Sequence, residues 1–358
     1  MKAAVLNERR TPLKIEEIEL VEPGPGEVEV KLVASGVCHS DLHHMLRDMS
    51  TSSPPIVLGH EGAGIVKAVG PNVTRVQPGD HVIIAFGSKC GECFYCLRGM
   101  PYLCTPAAPN RPRLFRNGEK INQGFDASTF AERTVVSATN VVKIRDDAPL
   151  DRCSLVACGV TTGIGAVITT AKVEPGSNVL VIGTGGVGLN VVQGARLAGA
   201  ARIIAVDTLD NKLELAREFG ATHLINATRE NVVERAKALT GGFGVDYAFE
   251  VIGLPKTIGQ AYDSVRKGGV AVVVGVADES AELTIEPVWL MRHAKTLIGC
   301  NYGSVRPQVD FPRIVDLYMA GRIKLDELVT RRFALTDINE AFRAMEAGEV
   351  ARGILDLA

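Results

Sequence analysis

Two hydrophobic patterns succeed one another along the chain. Early on, Val28–Val33 alternates at first, and Gly62–Val69 and His81–Ala85 are β-branched runs. Turn residues at Pro23-Gly24-Pro25-Gly26 and Pro78-Gly79-Asp80 separate them. Short strands between such turns predict an all-β, partly barrel-like domain. The pattern changes near residue 175. Asn178–Ile182 is an unbroken apolar run that enters Gly183–Gly188, and a helical stretch follows to Ala198, closed by Gly199. Further strands are expected at 202–207, 223–225, 245–252, 270–276 and 296–301, with helices ending at Phe219, near 229–240, and before Val270. Apolar strands alternating with amphipathic helices predict a doubly wound parallel sheet covered on both faces, an α/β architecture. After residue 302 come a helix near 311–320, a strand at 329–333 and a helix at 336–347. That tail is too short for a large core of its own and is expected to return to the first domain.

Composition narrows the class. A chain of 358 residues suits two domains, and 46% apolar with 22% charged residues excludes global disorder. Net charge is 39 − 41 = −2. Nothing electrostatic therefore draws the chain to nucleic acid or an anionic membrane. No run reaches the ~18 apolar residues of a membrane span, and Met1–Arg10 meets charge too early for a signal peptide. The expectation is a soluble, cytoplasmic protein with neither partner.

Gly183, Gly185 and Gly188 fit G-x-G-x-x-G, with a strand before and a helix after. The first glycine permits the tight turn, the second lets backbone approach a pyrophosphate, and the third allows close helix–strand packing. The N-terminus of the helix that follows attracts the phosphate charge. A plain glycine-rich turn would read the same were the motif alone. Asp207 ends the second strand 24 positions after Gly183, where a ribose-binding acid is expected. Its carboxylate would repel a 2′-phosphate, favouring NAD over NADP, whereas its competing reading is a helix cap. Lys212 is either an adenosine-ribose contact or part of a solvated face.

Four of the eight cysteines, Cys90, Cys93, Cys96 and Cys104, fall within fifteen positions. Four thiolates at this spacing can close a tetrahedral structural zinc site, and disulfides are the alternative. Cys38, His60 and Cys158 are dispersed, and spacing alone does not join them.

Taken together, these motifs resemble the zinc-containing alcohol dehydrogenases of the medium-chain dehydrogenase/reductase superfamily nearly end to end. The resemblance runs through Cys38-His39-Ser40-Asp41-x-His43, Gly59-His60-Glu61-x-x-Gly64, Gly79-Asp80-x-Val82, the cysteine loop, Cys158-Gly159-x-x-Thr162-Gly163, Gly183–Gly188 and Phe249–Gly253. It implies a GroES-like catalytic domain from 1–158 with 302–358, and a Rossmann-type NAD domain from 159–301. It implies two zinc ions per chain, the catalytic one held by Cys38, His60 and Cys158, with Asp41 orienting His60 and Glu61 beside the metal. By the same resemblance Ser40 and His43 form a proton relay, although the adjacent His44 competes with His43 on sequence alone. His39, Thr162 and Arg352 would join Gly183, Gly185, Gly186, Val187 and Gly188 in cofactor binding, and Ile252, Val274 and Val276 would lie along the nicotinamide.

Phe86, Asn301 and Tyr302 match positions that line the family's substrate pocket. An aromatic at 86 suits a primary alcohol or aldehyde carrying an aryl or alkyl group. A thiol-dependent formaldehyde dehydrogenase acting on an S-hydroxymethyl conjugate is the alternative. Arg111, Arg113 and Arg116 are its candidate carboxylate anchors, although Ala108 stands where that branch places arginine. A non-catalytic NAD-binding protein is the reading from another class. The long stretch between Cys104 and Cys158 resembles the animal-type and glutathione-dependent branches, which implies a homodimer ahead of a homotetramer.

Overall fold

The computed structural model describes residues 1–46, 53–87, 89–106 and 111–358. The chain forms two compact units, Met1–Cys158 with Arg306–Ala358, and Gly159–Val305.

The first unit is built around the long strand Glu27–Val37. It pairs antiparallel with Glu61–Val69 on one side and with Arg352–Asp356 on the other, while Arg133–Ser137 adds to it separately. His81–Ile84 and Val141–Lys143 extend one edge, and Val329–Ala334 the other. A second sheet contains Lys2–Leu6, Lys14–Glu17, Glu19–Leu20, Ile56–Val57, Leu114–Arg116 and Glu119–Gln123. The closing strand Arg352–Asp356 stitches the C-terminal segment into the unit, and this strand is absent from the sequence-based expectations. Its run Gly353-Ile354-Leu355 is too short to stand out by periodicity, and its partner strand lies far away in sequence. Leu6, Leu58, Phe130, Phe342 and Leu355 meet in one buried cluster, and Val28, Val30, Leu32, Val82 and Ile84 in another.

The second unit is a six-stranded parallel sheet in the order 223–226, 202–207, 178–182, 245–250, 265–273, 296–299. Strands continue in opposite directions from the two sides of Asn178–Ile182, so a crevice opens at its carboxyl end, where such sheets take their ligands. Observed ends differ from the pattern-based ones. Strand 245–252 stops at Glu250, and strand 270–276 begins at Val265 and stops at Val273. Ile252, Val274 and Val276 therefore sit in the loops beyond the strand ends, with Ile252 and Val276 exposed. Helical segments across Leu150–Ala171 had no counterpart in the sequence reading; their Gly- and Thr-rich, nearly all-buried sequence carries no amphipathic stripe. Among the described residues no single helix is long and apolar enough to cross a membrane.

The three arginines considered as substrate anchors belong to this framework. Arg113 is buried and donates to Glu27 at 2.9 Å and Gln123 at 2.7 Å. Arg111 donates to Glu27 and to the carbonyl of Glu22. Arg116 binds Glu16 and Asn7. None stands as a free cationic cluster, because a buried carboxylate and an adjacent strand claim them first. Ala108 lies outside the described residues.

Burial pushes the Glu27 carboxyl up, but hydrogen bonds from Arg111, the Gly24 amide and Arg113 outweigh it and hold it below its usual value. A depressed carboxyl contributes stability above its unfolded pKa of ~4.3, lost as the pH falls through the folded value. Glu27→Gln should cost about 3–5 kcal/mol at pH 7, since it leaves the Arg113 charge buried. In urea melts the variant should also lose less stability than the wild type on acidification below pH ~4.3.

Candidate active site

Pairing of Gly36 with Glu61 brings the end of one strand beside the start of the next. Cys38 follows the first strand and His60 precedes the second, so both emerge at one end of the sheet. Cys158 arrives just after the turn Ser154–Ala157. One ligand atom from each of Cys38, His60, Glu61 and Cys158 lies within 4.8 Å of the others, and all four residues are buried.

Asp41, in the first turn of helix His39–Leu46, accepts from the Gly59 amide at 2.9 Å and stands 3.2 Å from His60 Nδ1. This bond fixes the ring with Nε2 as the ligand-side nitrogen, and Nε2 is buried with no hydrogen-bond partner. Burial works against an imidazolium here, yet the charge and hydrogen bond of Asp41, with Cys38, outweigh it and raise His60 to about 10. The Cys38 thiol is pulled well below its usual value, first by the hydrogen bond from Cys158, against burial, and then by His60. Two thiols, an oriented imidazole and a carboxylate around an orphaned buried nitrogen fit a Cys₂His zinc site. Glu61 is ion-paired with the buried Arg352.

Cys90, Cys93, Cys96 and Cys104 form the second donor cluster. Their nearest sulfurs are 3.5–4.0 Å apart and all four thiols are free, so the disulfide alternative falls. Amide N–H groups of Cys90 and Cys93 donate to sulfur at 3.3 Å. Phe94 and Leu97 are exposed, so this loop has little apolar core to hold it without a metal.

In the second unit Gly183 has φ +95°, a conformation that suits glycine, and Gly185 caps helix Gly186–Leu197. A Cβ at Gly188 would collide with the Gly183 carbonyl. Asp207 closes its strand, and its two oxygens are shared between loops. One accepts from the Thr184 amide and hydroxyl at 2.9 and 3.0 Å, the other from the amides of Thr208 and Leu209. It therefore caps a chain reversal and also ties the glycine loop to the second strand. Thr184 is a contact that the sequence reading missed. Glu250, buried, accepts from the Ile252 and Gly253 amides and Thr257, shaping the turn that presses Ile252 against Gly183.

The chain matches the model of the alcohol dehydrogenase GroES-like domain over residues 24–146 and that of the zinc-binding dehydrogenase over 186–320. An S-(hydroxymethyl)glutathione dehydrogenase of Paracoccus denitrificans is 41% identical across 99% of both chains. The chain belongs to the zinc-containing alcohol dehydrogenases. Among solved structures, the alcohol dehydrogenase zinc-binding domain protein of Burkholderia ambifaria superposes with a TM-score of 0.95 at 37% identity, covering 100% of this chain and 98% of its own. The benzyl alcohol dehydrogenase of Acinetobacter calcoaceticus gives 0.94 at 34%, covering 100% and 99%. Zinc and NAD are the cofactors of this dehydrogenase.

Around the buried donor cluster of this dehydrogenase stand aromatic rings. Phe86 meets the His60 ring edge-on at 5.1 Å, and Phe125 lies 4.3 Å from it. Phe125 escaped the sequence reading because it sits in a Gly-Phe-Asp turn at φ +55°, outside any periodic element. His44 is buried with its ring edge 4.4 Å from Phe125, and burial foremost lowers its pKa. His43 is half-buried, His39 exposed, and Ser40 Oγ lies 3.7 Å from Cys38 Sγ. In the second unit Thr162 lies on helix Gly159–Gly165, Lys212 in the first turn of helix Asp210–Phe219, Asn301 is exposed and Tyr302 buried. Cys153 is buried, which pushes its thiol up to about 12, and Cys300 is buried against Thr170; neither belongs to a metal-donor cluster among the described residues.

Asp207→Ser removes the carboxylate that would oppose a 2′-phosphate. The ratio of kcat/KM for NADP over NAD should rise roughly tenfold or more, equivalent to about 1.4 kcal/mol. A parallel fall for both cofactors in the same steady-state assay would leave Asp207 as a cap alone.

Proposed function

We propose that this dehydrogenase interconverts primary alcohols bearing an aryl or alkyl group and their aldehydes, with NAD. The aromatic lining of the donor cluster carries this reading: Phe86 meets the His60 ring edge-on, Phe125 lies tilted against it, and the two offer an apolar surface beside it. The commitment of Arg111, Arg113 and Arg116 to internal carboxylates and carbonyls supports it further, since an anionic thiol conjugate then lacks those anchors. The kinship with S-(hydroxymethyl)glutathione dehydrogenases favours the conjugate as the second reading.

Cys38, His60 and Cys158 would hold the catalytic zinc, which when bound supplies Lewis-acid polarisation of the substrate oxygen while NAD carries the hydride. Asp41 keeps the His60 ring in one tautomer. The buried Arg352 balances the Glu61 carboxylate and the neighbouring thiolate charge. Ser40 and His43 stand three positions apart on one helix and so share a face. In this reading the Ser40 hydroxyl accepts the substrate's hydroxyl proton as it gives up its own, and the His43 imidazole carries that proton towards solvent. His44 packs instead against Phe125. The first unit acts as the catalytic domain and the second as the NAD domain, with the Cys90–Cys104 loop holding a structural zinc. The same reading includes a cytoplasmic homodimer, a homotetramer being its alternative.

A substrate panel followed at the NADH absorbance tests this. Benzyl alcohol should exceed the adduct of formaldehyde and glutathione by at least roughly tenfold in kcat/KM. The reverse order would establish the thiol-conjugate reading, and no NADH signal with any member would leave a non-catalytic protein. In the same assay His43→Gln should slow oxidation roughly 10- to 100-fold near neutral pH, at unchanged zinc content and with partial rescue by added buffer base.

A further inference from the structure

Helix His39–Leu46, which carries Ser40 and His43, ends against the loop 7–13. The last carbonyls of a helix have no partner inside it, and here three in succession are taken by two arginines of that loop. Arg9 Nη1 donates to the His44 carbonyl at 2.7 Å, the Arg10 amide to that of Met45 at 2.8 Å, and Arg10 Nε to that of Leu46 at 3.1 Å. Two cations thus stand at the negative end of the helix dipole.

The loop is anchored at both ends. Asn7 donates to Glu16 at 2.6 Å and accepts from Arg116 at 2.8 Å. Asn339 accepts from the Leu13 amide at 3.0 Å and donates to its carbonyl at 2.9 Å. Leu13 is buried in the same cluster as Leu42 and Met45 of the helix. Between these anchors Arg10 has φ +62°, a left-handed backbone that strains an L side chain and suits glycine. An arginine kept where glycine would be easier points to a role for its guanidinium. The turn it closes holds two adjacent histidines, which point about 100° apart around the helix. His43 shares a face with Ser40, whereas His44 packs against Phe125. A frayed last turn would lose that division.

We propose that Arg9 and Arg10 are positioning residues for proton transfer: by closing the last turn of the helix they keep His43 on the Ser40 side and His44 against Phe125. The proposal rests on the relay reading above.

The test uses the zinc-loaded enzyme, and combines hydrogen exchange read by mass spectrometry with oxidation of the best alcohol in the substrate panel. In Arg9→Met the amides of residues 39–46 should exchange roughly fivefold faster, the upper end for a cation lost from a helix terminus. Oxidation near neutral pH should slow roughly two- to fivefold, with the KM for NAD within about twofold of wild type. Added buffer base should relieve that loss. Arg9→Lys, which keeps the charge and a donor, should restore both readouts. In a His43→Gln background Arg9→Met should cost nothing further, because a cap that acts through His43 has no target once the imidazole is gone. Arg10→Gly keeps the amide, relieves the backbone strain and removes the second cation, so it should give the same pattern, and it decides the matter if Arg9→Met folds poorly. Unchanged exchange across 39–46 in both variants would overturn the proposal. So would faster exchange at full activity, or a loss that buffer base does not relieve or that adds to that of His43→Gln. If His43→Gln alone shows no rescue by buffer base, the relay reading falls and takes this proposal with it.

Discussion

Two thiols, an imidazole and a carboxylate lie within 4.8 Å of one another in a buried pocket, and such a group is stable only when positive charge is held among them. Part of that charge is built into the chain. Arg352 reaches Glu61 across 291 positions, and the imidazole of His60 is held by Asp41. The rest is what a divalent metal supplies. Much of the first unit serves to bring these groups together. Its central strand delivers Cys38, the neighbouring antiparallel strand starts at Glu61, and the last strand of the chain carries Arg352.

The second unit solves a different electrostatic problem. Its parallel sheet ends in loops rather than in buried donors. A glycine turn, a helix N-terminus and the Asp207 carboxylate meet where the strand order diverges. Backbone amides at a helix N-terminus attract phosphate, and the Asp207 carboxylate ties the glycine loop to the second strand. Glu250 plays a corresponding part on the other side of the first strand by shaping the turn at Ile252 and Gly253. The dependence on a few buried carboxylates is common to both units, but only the first gathers soft ligands for a metal.

What could be read from the chain before its structure followed the range of each signal. The four-cysteine loop and the glycine turn are local, so spacing exposed their chemistry. Cys38, His60 and Cys158 are spread over 121 positions; only the resemblance joined them, because nothing local says that their strands and turns converge. The parallel sheet was legible from its apolar runs. Its strand ends were not, since the ladder extends back to Val265 through a bulge that interrupts the pattern. The closing strand Arg352–Asp356 and the buried helical turns around Cys158 were missed for related reasons: one is defined by a distant partner, the other lacks a polar face. Phe125 and the Glu61–Arg352 pair depend on a positive-φ turn and on tertiary pairing, which a single sequence does not display. The arginines at 111, 113 and 116 stood open as carboxylate anchors because their partners, Glu27 for the first two and Glu16 for the third, lie more than 80 positions away.

The most direct measurement is the visible and near-ultraviolet spectrum of the protein after zinc is replaced by cobalt(II), titrated to saturation. Two separate sites, one closed by four cysteines and one formed by Cys38, His60 and Cys158 with an open position, predict two cobalt ions per chain. Both should show the intense bands of tetrahedral, thiolate-rich coordination, and only one set should move when an alcohol or aldehyde is added. A single thiolate-bound ion per chain, or two whose bands both ignore the substrate, would contradict the assignment of the buried cluster as an open catalytic metal site.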